Sequence, residues 1–485
     1  MSDIKWNAAT NGDFATAANW AGGVKPGPAD NAILDATGAA FAVTSSANEI
    51  VASIQTVAEA TLDITGGNFD VTSGSGAGAN AGLIDVAGTG RFRGGGTLHN
   101  SGTLEANAGG RISLAGVAVN TGGVIDAAGG SVLLQGVDII GGTLASSTGH
   151  RLVFNKSGGE LDGSSGHAVT VTGTVVIADG RSESAAGSLV NKGRIGLAHK
   201  GGGVTELVVG TGGLTLSGGG KVVLTGSGVA RIDTGTTGDL INVDNRIVGG
   251  GTIGSAGLTL VNETGGFITS GASGPLVINT GANVLDNAGY IEGRQGGTMI
   301  TGAVNNTGSL IAIGGSLTIE GAVTGSGQAA IYGGTLTFGS TFNENVRFNE
   351  SSKDGRTGGE LVLADSVAYS GTISGFSKTN STKLDLRDIA FSAKTSATFS
   401  NGVLTVTDGT HIAHIKLAGD FTGSKWTVSG DGTGGTIVVD PASTAGPSLT
   451  ALTGQMAAFS PGHAATPTQT VTVASPPSLA VPAPN

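Results

Sequence analysis

The chain has 485 residues, of which 90 are glycine, 38% are hydrophobic, 12% are charged and 4% are aromatic. That apolar share is too high and the charge too low for a disordered chain, and the formal charge of −11 disfavours electrostatic capture of nucleic acid or an anionic membrane surface, because phosphate binding needs a basic face. There is no cysteine, which excludes disulfides and thiolate metal sites.

Average usage would give roughly 35 glycines in a chain of this length. The excess recurs between short Val/Ile/Leu/Thr runs without a collagen period, so these are turn glycines. With few aromatics, the core must consist of small aliphatic side chains in thin layers. A stack of short strands meets that condition, with each repeat touching only its neighbours. The expected fold class is therefore all-β: a parallel β-helix or β-solenoid with an aromatic N-terminal cap and a C-terminal β module.

In chain order, residues 1–36 read as the cap. They hold Trp6 and Trp20, two of the three tryptophans, and the turn Lys25-Pro26-Gly27-Pro28. Bulky aromatics at the end of a stack cover its open cross-section and strand edges. The start lacks the basic, apolar and small-residue segments of a secretory signal, and no uninterrupted apolar run reaches 18 residues, so no transmembrane segment is expected.

Residues 37–340 read as solenoid repeats. Asn100-Ser101-Gly102 and Asn120-Thr121-Gly122 each lead into a short apolar strand, a Gly-Gly pair and a second strand, and Asn306-Thr307-Gly308 repeats the pattern one residue shorter. Weaker copies begin at Asn191, Asn262 and Asn287. Asn and Gly tolerate the positive φ of a corner, whereas β-branched residues alternate in and out along the faces. Spacings of 20 residues from Asn100 to Asn120 and 19 from Asn287 to Asn306 correspond to one coil, and a recurring corner Asn can build a side-chain ladder.

Residues 341–440 change character and read as a C-terminal β module of longer strands, with hairpin turns at Asn401-Gly402 and Asp408-Gly409. Residues 441–485 contain 8 of the 11 prolines among Ala, Ser and Thr, which predicts a disordered or extended tail.

Several residue groups are candidates for chemistry. In the strand-like Leu384-Asp385-Leu386-Arg387-Asp388-Ile389, Asp385 and Arg387 share a face and Asp388 points away; solvated charge or a structural salt bridge accounts for them better than an acid–base site. His411 and His414 fall on opposite faces of a strand, which disfavours a shared metal. Asp431 and Asp440 make a poor calcium cage, because Ca²⁺ wants several oxygen ligands. Gly218-Gly219-Gly220-Lys221 is not a phosphate loop. No catalytic, cofactor-binding or metal-binding residue is assigned.

Two stretches resemble known proteins. Trp6-Asn7, Asn11-Gly12-Asp13-Phe14, Asn19-Trp20 and Lys25-Pro26-Gly27-Pro28-Ala29-Asp30 are similar to the N-terminal modules of large bacterial repeat proteins. Leu384 to Phe391, Gly402 to Phe421 and Asp431-Gly432-Thr433-Gly434-Gly435-Thr436 resemble the terminal modules of alphaproteobacterial surface or secreted proteins described as adhesin-like, autotransporter-like or type I-secreted. Two features depart from these groups: there is no run of Gly-Gly-x-Gly-x-Asp calcium repeats, and no C-terminal outer-membrane barrel is visible.

The resemblance implies a non-catalytic structural or adhesive protein at the cell surface or outside the cell; with no N-terminal signal at this start, its export address is expected at the C-terminus, within residues 441–485, or to be read by another route. Its partners would be cell-surface glycans, other surface proteins or further copies of the chain, and not nucleic acid. The alternative is a carbohydrate-binding or polysaccharide-cleaving right-handed β-helix; the scarcity of Trp and Tyr, three each, weighs against it because sugar platforms stack on aromatics.

Overall fold

The computed structural model describes residues 1–201, 203–226, 229–255, 257–349 and 356–441. The expected tail at 441–485 lies, but for Pro441, outside the described residues. Among those described there is no α-helix, only two 3₁₀ turns at Ala17–Asn19 and Ala21–Gly23. The strands, joined by turns and loops, build a parallel β-solenoid of about 16 turns.

Most coils contribute a strand to each of three parallel ladders. The first ladder stacks Phe41–Ser45, Ala60–Ile64, Leu83–Val86, Thr103–Ala106 and Val124–Ala127. The second stacks Asn68–Val71 on Arg91–Gly94 and then on the first half of Arg111–Val119. Thr97–His99 and the second half of Arg111–Val119 belong to the third. Chain turns between faces inside that long strand at Gly116, whose φ is 81° and where an added Cβ would lie 2.4 Å from the Gly96 carbonyl oxygen. Only glycine fits there.

Alternation selects what goes inside. Leu62, Ile84, Leu104, Ile125 and Leu144 form one inward row on successive coils, and Phe69, Phe92, Ile112, Val132 and Leu152 form another; each is 0% exposed. Every such side chain contributes roughly 1.5–3 kcal/mol by burial, so a thin core gains stability through its length.

The corner asparagines form two buried ladders. In one, Thr56 Oγ1 donates to Asn80 Oδ1, Asn80 Nδ2 to Asn100 Oδ1 and Asn100 Nδ2 to Asn120 Oδ1, each at 2.6 Å. In the other, Asn242, Asn262 and Asn287 each donate to the next Asn, and Asn306 Nδ2 donates to Glu344 Oε2 at 2.7 Å. The Asn-x-Gly unit thus keeps its local chemistry but changes place. It turns the chain from the third ladder into the first at Asn100 and Asn120, and from the first into the second at Asn262, Asn287 and Asn306.

Aromatics close the N-terminal end as the sequence implies. Trp6 and Phe14 meet Trp20 edge-on at 5.0 and 4.9 Å, and Phe14 meets Phe69 of the stack at 5.0 Å. Trp20 is 0% exposed and donates from Nε1 to the Phe14 carbonyl at 2.8 Å. Towards the other end the parallel pairing runs past residue 340, through Gly359–Leu363 to Thr382–Leu386. Antiparallel hairpins follow. Ser396–Ser400 and Val403–Thr407 are joined at Asn401 and Gly402, both at positive φ, and Val403–Thr407 continues through the Asp408 turn into Ile412–Ala418. Ile412–Ala418 pairs with the second ladder through Thr372–Ser374, and Thr436–Val439 pairs with the third through Thr382–Leu386.

Candidate functional site

The candidate acid–base residues occupy different surroundings. Asp385 is buried in the outer surface of Thr382–Leu386, 4.0 Å from Arg387, with Oδ1 unpaired. Burial, with Asp431 and Glu360 nearby, pushes its carboxyl up to about 6 against the pull of Arg387. Asp388 faces elsewhere and latches a loop, accepting from Ser366 Oγ and from the Val367 N–H at 3.0 Å.

The other flagged residues are mostly engaged in turns. Asp431 Oδ1 accepts the N–H groups of Thr433 and Gly435 at 2.6 and 2.9 Å, and these bonds with the Thr433 hydroxyl hold its carboxyl below the usual range. His411 pairs with Asp408 at 3.0 Å, whereas His414 meets Thr405 Oγ1 at 3.3 Å, so the two histidines have separate partners. Asp440 is buried with Oδ2 unpaired. Gly218 and Gly219 form a positive-φ corner and Lys221 opens a strand of the second ladder. Among the described residues no group of three or more His, Asp and Glu side chains is placed to hold a metal ion.

The outward rows of the stack carry charge in a pattern that reading single motifs missed. On the first ladder Asp63, Asp85, Glu105 and Asp126 stand in register. Burial pushes the Asp63 carboxyl up, helped by the Asp85 charge, and burial alone raises Asp126. Like charges directly opposite repel, and Asn107 Nδ2 offsets part of this by donating to Asp85 at 2.9 Å.

Across the next corner the second ladder places an outward residue at the start of each strand, or in the case of Arg151 just before it, and these form a basic row. It contains Arg91, Arg111, Arg151, Arg194, Lys221 and Arg246, with Ser131 and Thr174 in the intervening coils. Five of the six cations are exposed and Arg246 is half-buried. Among the described residues, those five form no ion pair and no side-chain hydrogen bond. Asp244, at the corner before Arg246, is engaged by the Gly219 N–H at 2.9 Å. The row continues into Phe267 and Tyr290: the Arg246 guanidinium lies 4.1 Å from the Phe267 ring centre, and the two rings stack at 5.9 Å.

A sequence signal exists for this row. Gly90, Gly110, Gly193 and Gly220 each precede a basic residue, which is followed by an inward Phe, Ile or Val. The glycine is required by close approach: a Cβ on Gly110 would lie 1.9 Å from the Val86 carbonyl oxygen.

No protein-family model, curated protein or solved structure matches the chain. No helix among the described residues is long and apolar enough to cross a membrane.

Proposed function

We propose that the chain is a structural and adhesive protein of the cell surface or extracellular space, of the kind its terminal motifs resemble among large alphaproteobacterial repeat proteins. The observation that carries this reading is the basic row, in which unpaired side chains repeat at the strand spacing along one ladder. Such a row suits many weak contacts made at once with an extended partner, where linked binding events raise avidity without any single tight pocket. The structural duties of Asp388, Asp408 and Asp431 also favour it over catalysis.

Fractionation of the native cells with protease treatment of intact cells tests the location. Loss of the protein on protease treatment, or recovery from the medium, is the expected result; exclusive recovery from the cytoplasm overturns it.

One observation favours the second reading, a polysaccharide-cleaving β-helix: the buried, raised carboxyl of Asp385 beside Arg387 has the character of a general acid. A reducing-end assay on acidic polysaccharides decides between the readings. Under the adhesive reading no new ends form, and turnover by the native chain that Asp385→Asn abolishes would establish the enzyme.

A further inference from the structure

We infer that the basic row of the second ladder binds a single, extended acidic polysaccharide chain, with its carboxylates lying along the row and the line of cations ending at the stacked rings of Phe267 and Tyr290. This deepens the adhesive reading above and rests on it for its biological setting, though the geometry stands independently. The row gathers six of the chain's 24 Lys and Arg residues onto eight successive coils, in a protein whose formal charge is −11. Exposed cations that satisfy no carboxylate of their own chain are available to an anion from outside.

The dimensions select the class of polyanion. Parallel strands stack about 4.8 Å apart, so the eight positions span about 34 Å in a line one residue wide. One sugar residue advances an extended polysaccharide by close to one strand spacing, and a polyuronate carries one carboxylate on each sugar. Along the chain axis this gives about one carboxylate per coil, of which those turned towards the row meet its cations, while Ser131 and Thr174 offer hydroxyls where the cations lapse. Duplex nucleic acid fits less well, because its phosphates advance about 3.4 Å along the helix axis on each strand and drift out of step with the row.

Width argues the same way. Beside Arg91, Arg111 and Ser131 the neighbouring face carries Asp85, Glu105 and Asp126, which would repel a duplex or an anionic membrane broad enough to reach round the corner at that end of the row. A thin single chain avoids them. Phe267 and Tyr290 end the line of cations with rings stacked on each other and on Arg246, so the row closes on apolar ring edges rather than on more charge.

The test measures binding of the full chain to immobilised polygalacturonate at about 50 and 200 mM salt, with fully methyl-esterified polygalacturonate and single-stranded DNA alongside. Two triple variants are compared. Arg151→Gln/Arg194→Gln/Lys221→Gln alters the row, whereas Lys383→Gln/Lys394→Gln/Lys425→Gln removes equal charge from exposed positions elsewhere. Thermal melting confirms that both fold; should the first not fold, Arg111→Gln/Arg194→Gln replaces it.

The expected result is binding to polygalacturonate that weakens with salt, vanishes on esterification, falls about tenfold or more in the row variant and is unchanged in the control. No binding to polygalacturonate, equal loss in both variants, binding that survives esterification, or tighter binding to DNA at the same salt would each overturn the inference. A protein that is exposed on the cell but ignores polygalacturonate defeats this inference alone. One that binds polygalacturonate but stays in the cytoplasm defeats only the surface reading.

Discussion

At the scale of single residues, stability depends on polar groups buried in the stack. Asn287 accepts from Asn262 at 2.8 Å and donates to Asn306 at 2.7 Å while 1% exposed. Asn287→Ala leaves one donor and one acceptor without their ladder partners, at about 1–3 kcal/mol for each group left unpaired. Asn305→Ala removes only an exposed bond to Asp286, and a change within about 0.5 kcal/mol is expected. Denaturant unfolding of the two variants compares them directly; equal losses would show that the buried ladder has no special weight.

Glu183 contributes in the opposite sense. It points into the stack beside Leu207, accepts from the Gly159 N–H at 2.8 Å and leaves Oε1 unpaired. Burial pushes its carboxyl up to about 7 from an ordinary 4.5. The folded chain therefore holds this proton more tightly than the unfolded chain. Its contribution is fully present below the ordinary value and is lost as pH rises through about 7. Glu183→Gln should raise the melting temperature relative to the native chain at pH 8 and lose that advantage at pH 4. An advantage that did not change with pH would show that the carboxyl is not responsible.

At the scale of elements, both ends of the stack are covered. Trp20 is the centre of the N-terminal cover, touching Trp6 and Phe14, and through Phe14 the stack at Phe69. Trp20→Ala should cost about 3–5 kcal/mol locally and expose an edge prone to self-association. Light scattering on warming should therefore rise earlier than in the native chain; scattering identical to the native chain would contradict the role of the cap.

Much at this scale was legible in the sequence. The Asn-x-Gly spacings marked coils because φ preferences at a corner are local, and Asn401-Gly402 marked a two-residue hairpin for the same reason. The change of corner between the two asparagine ladders was not legible, since the same local unit serves either turn. Nor was the basic row. Successive members are separated by 20 residues from Arg91 to Arg111, but by 27 from Arg194 to Lys221 and 25 from Lys221 to Arg246. Insertions at the corners leave strand pairing intact while destroying any fixed period, so only the register brings these charges together. Net charge misled in a similar way, because −11 overall is compatible with a basic line on one ladder.

At the scale of the whole stack, register links the fold to its proposed use: it turns dispersed Arg and Lys residues into a line with the spacing of an extended polyanion. The most direct measurement is a spin-label distance along that line, which the absence of cysteine makes clean. Ser131→Cys with Tyr290→Cys places labels seven coil steps apart, through Arg151, Thr174, Arg194, Lys221, Arg246 and Phe267. Pulsed electron–electron resonance should give one narrow distance near about 34 Å, increasing by about 4.8 Å when the second label moves to Ser309→Cys on the next coil. A broad distribution, or a distance that does not grow by one strand spacing per coil, would contradict the register and with it the basic row.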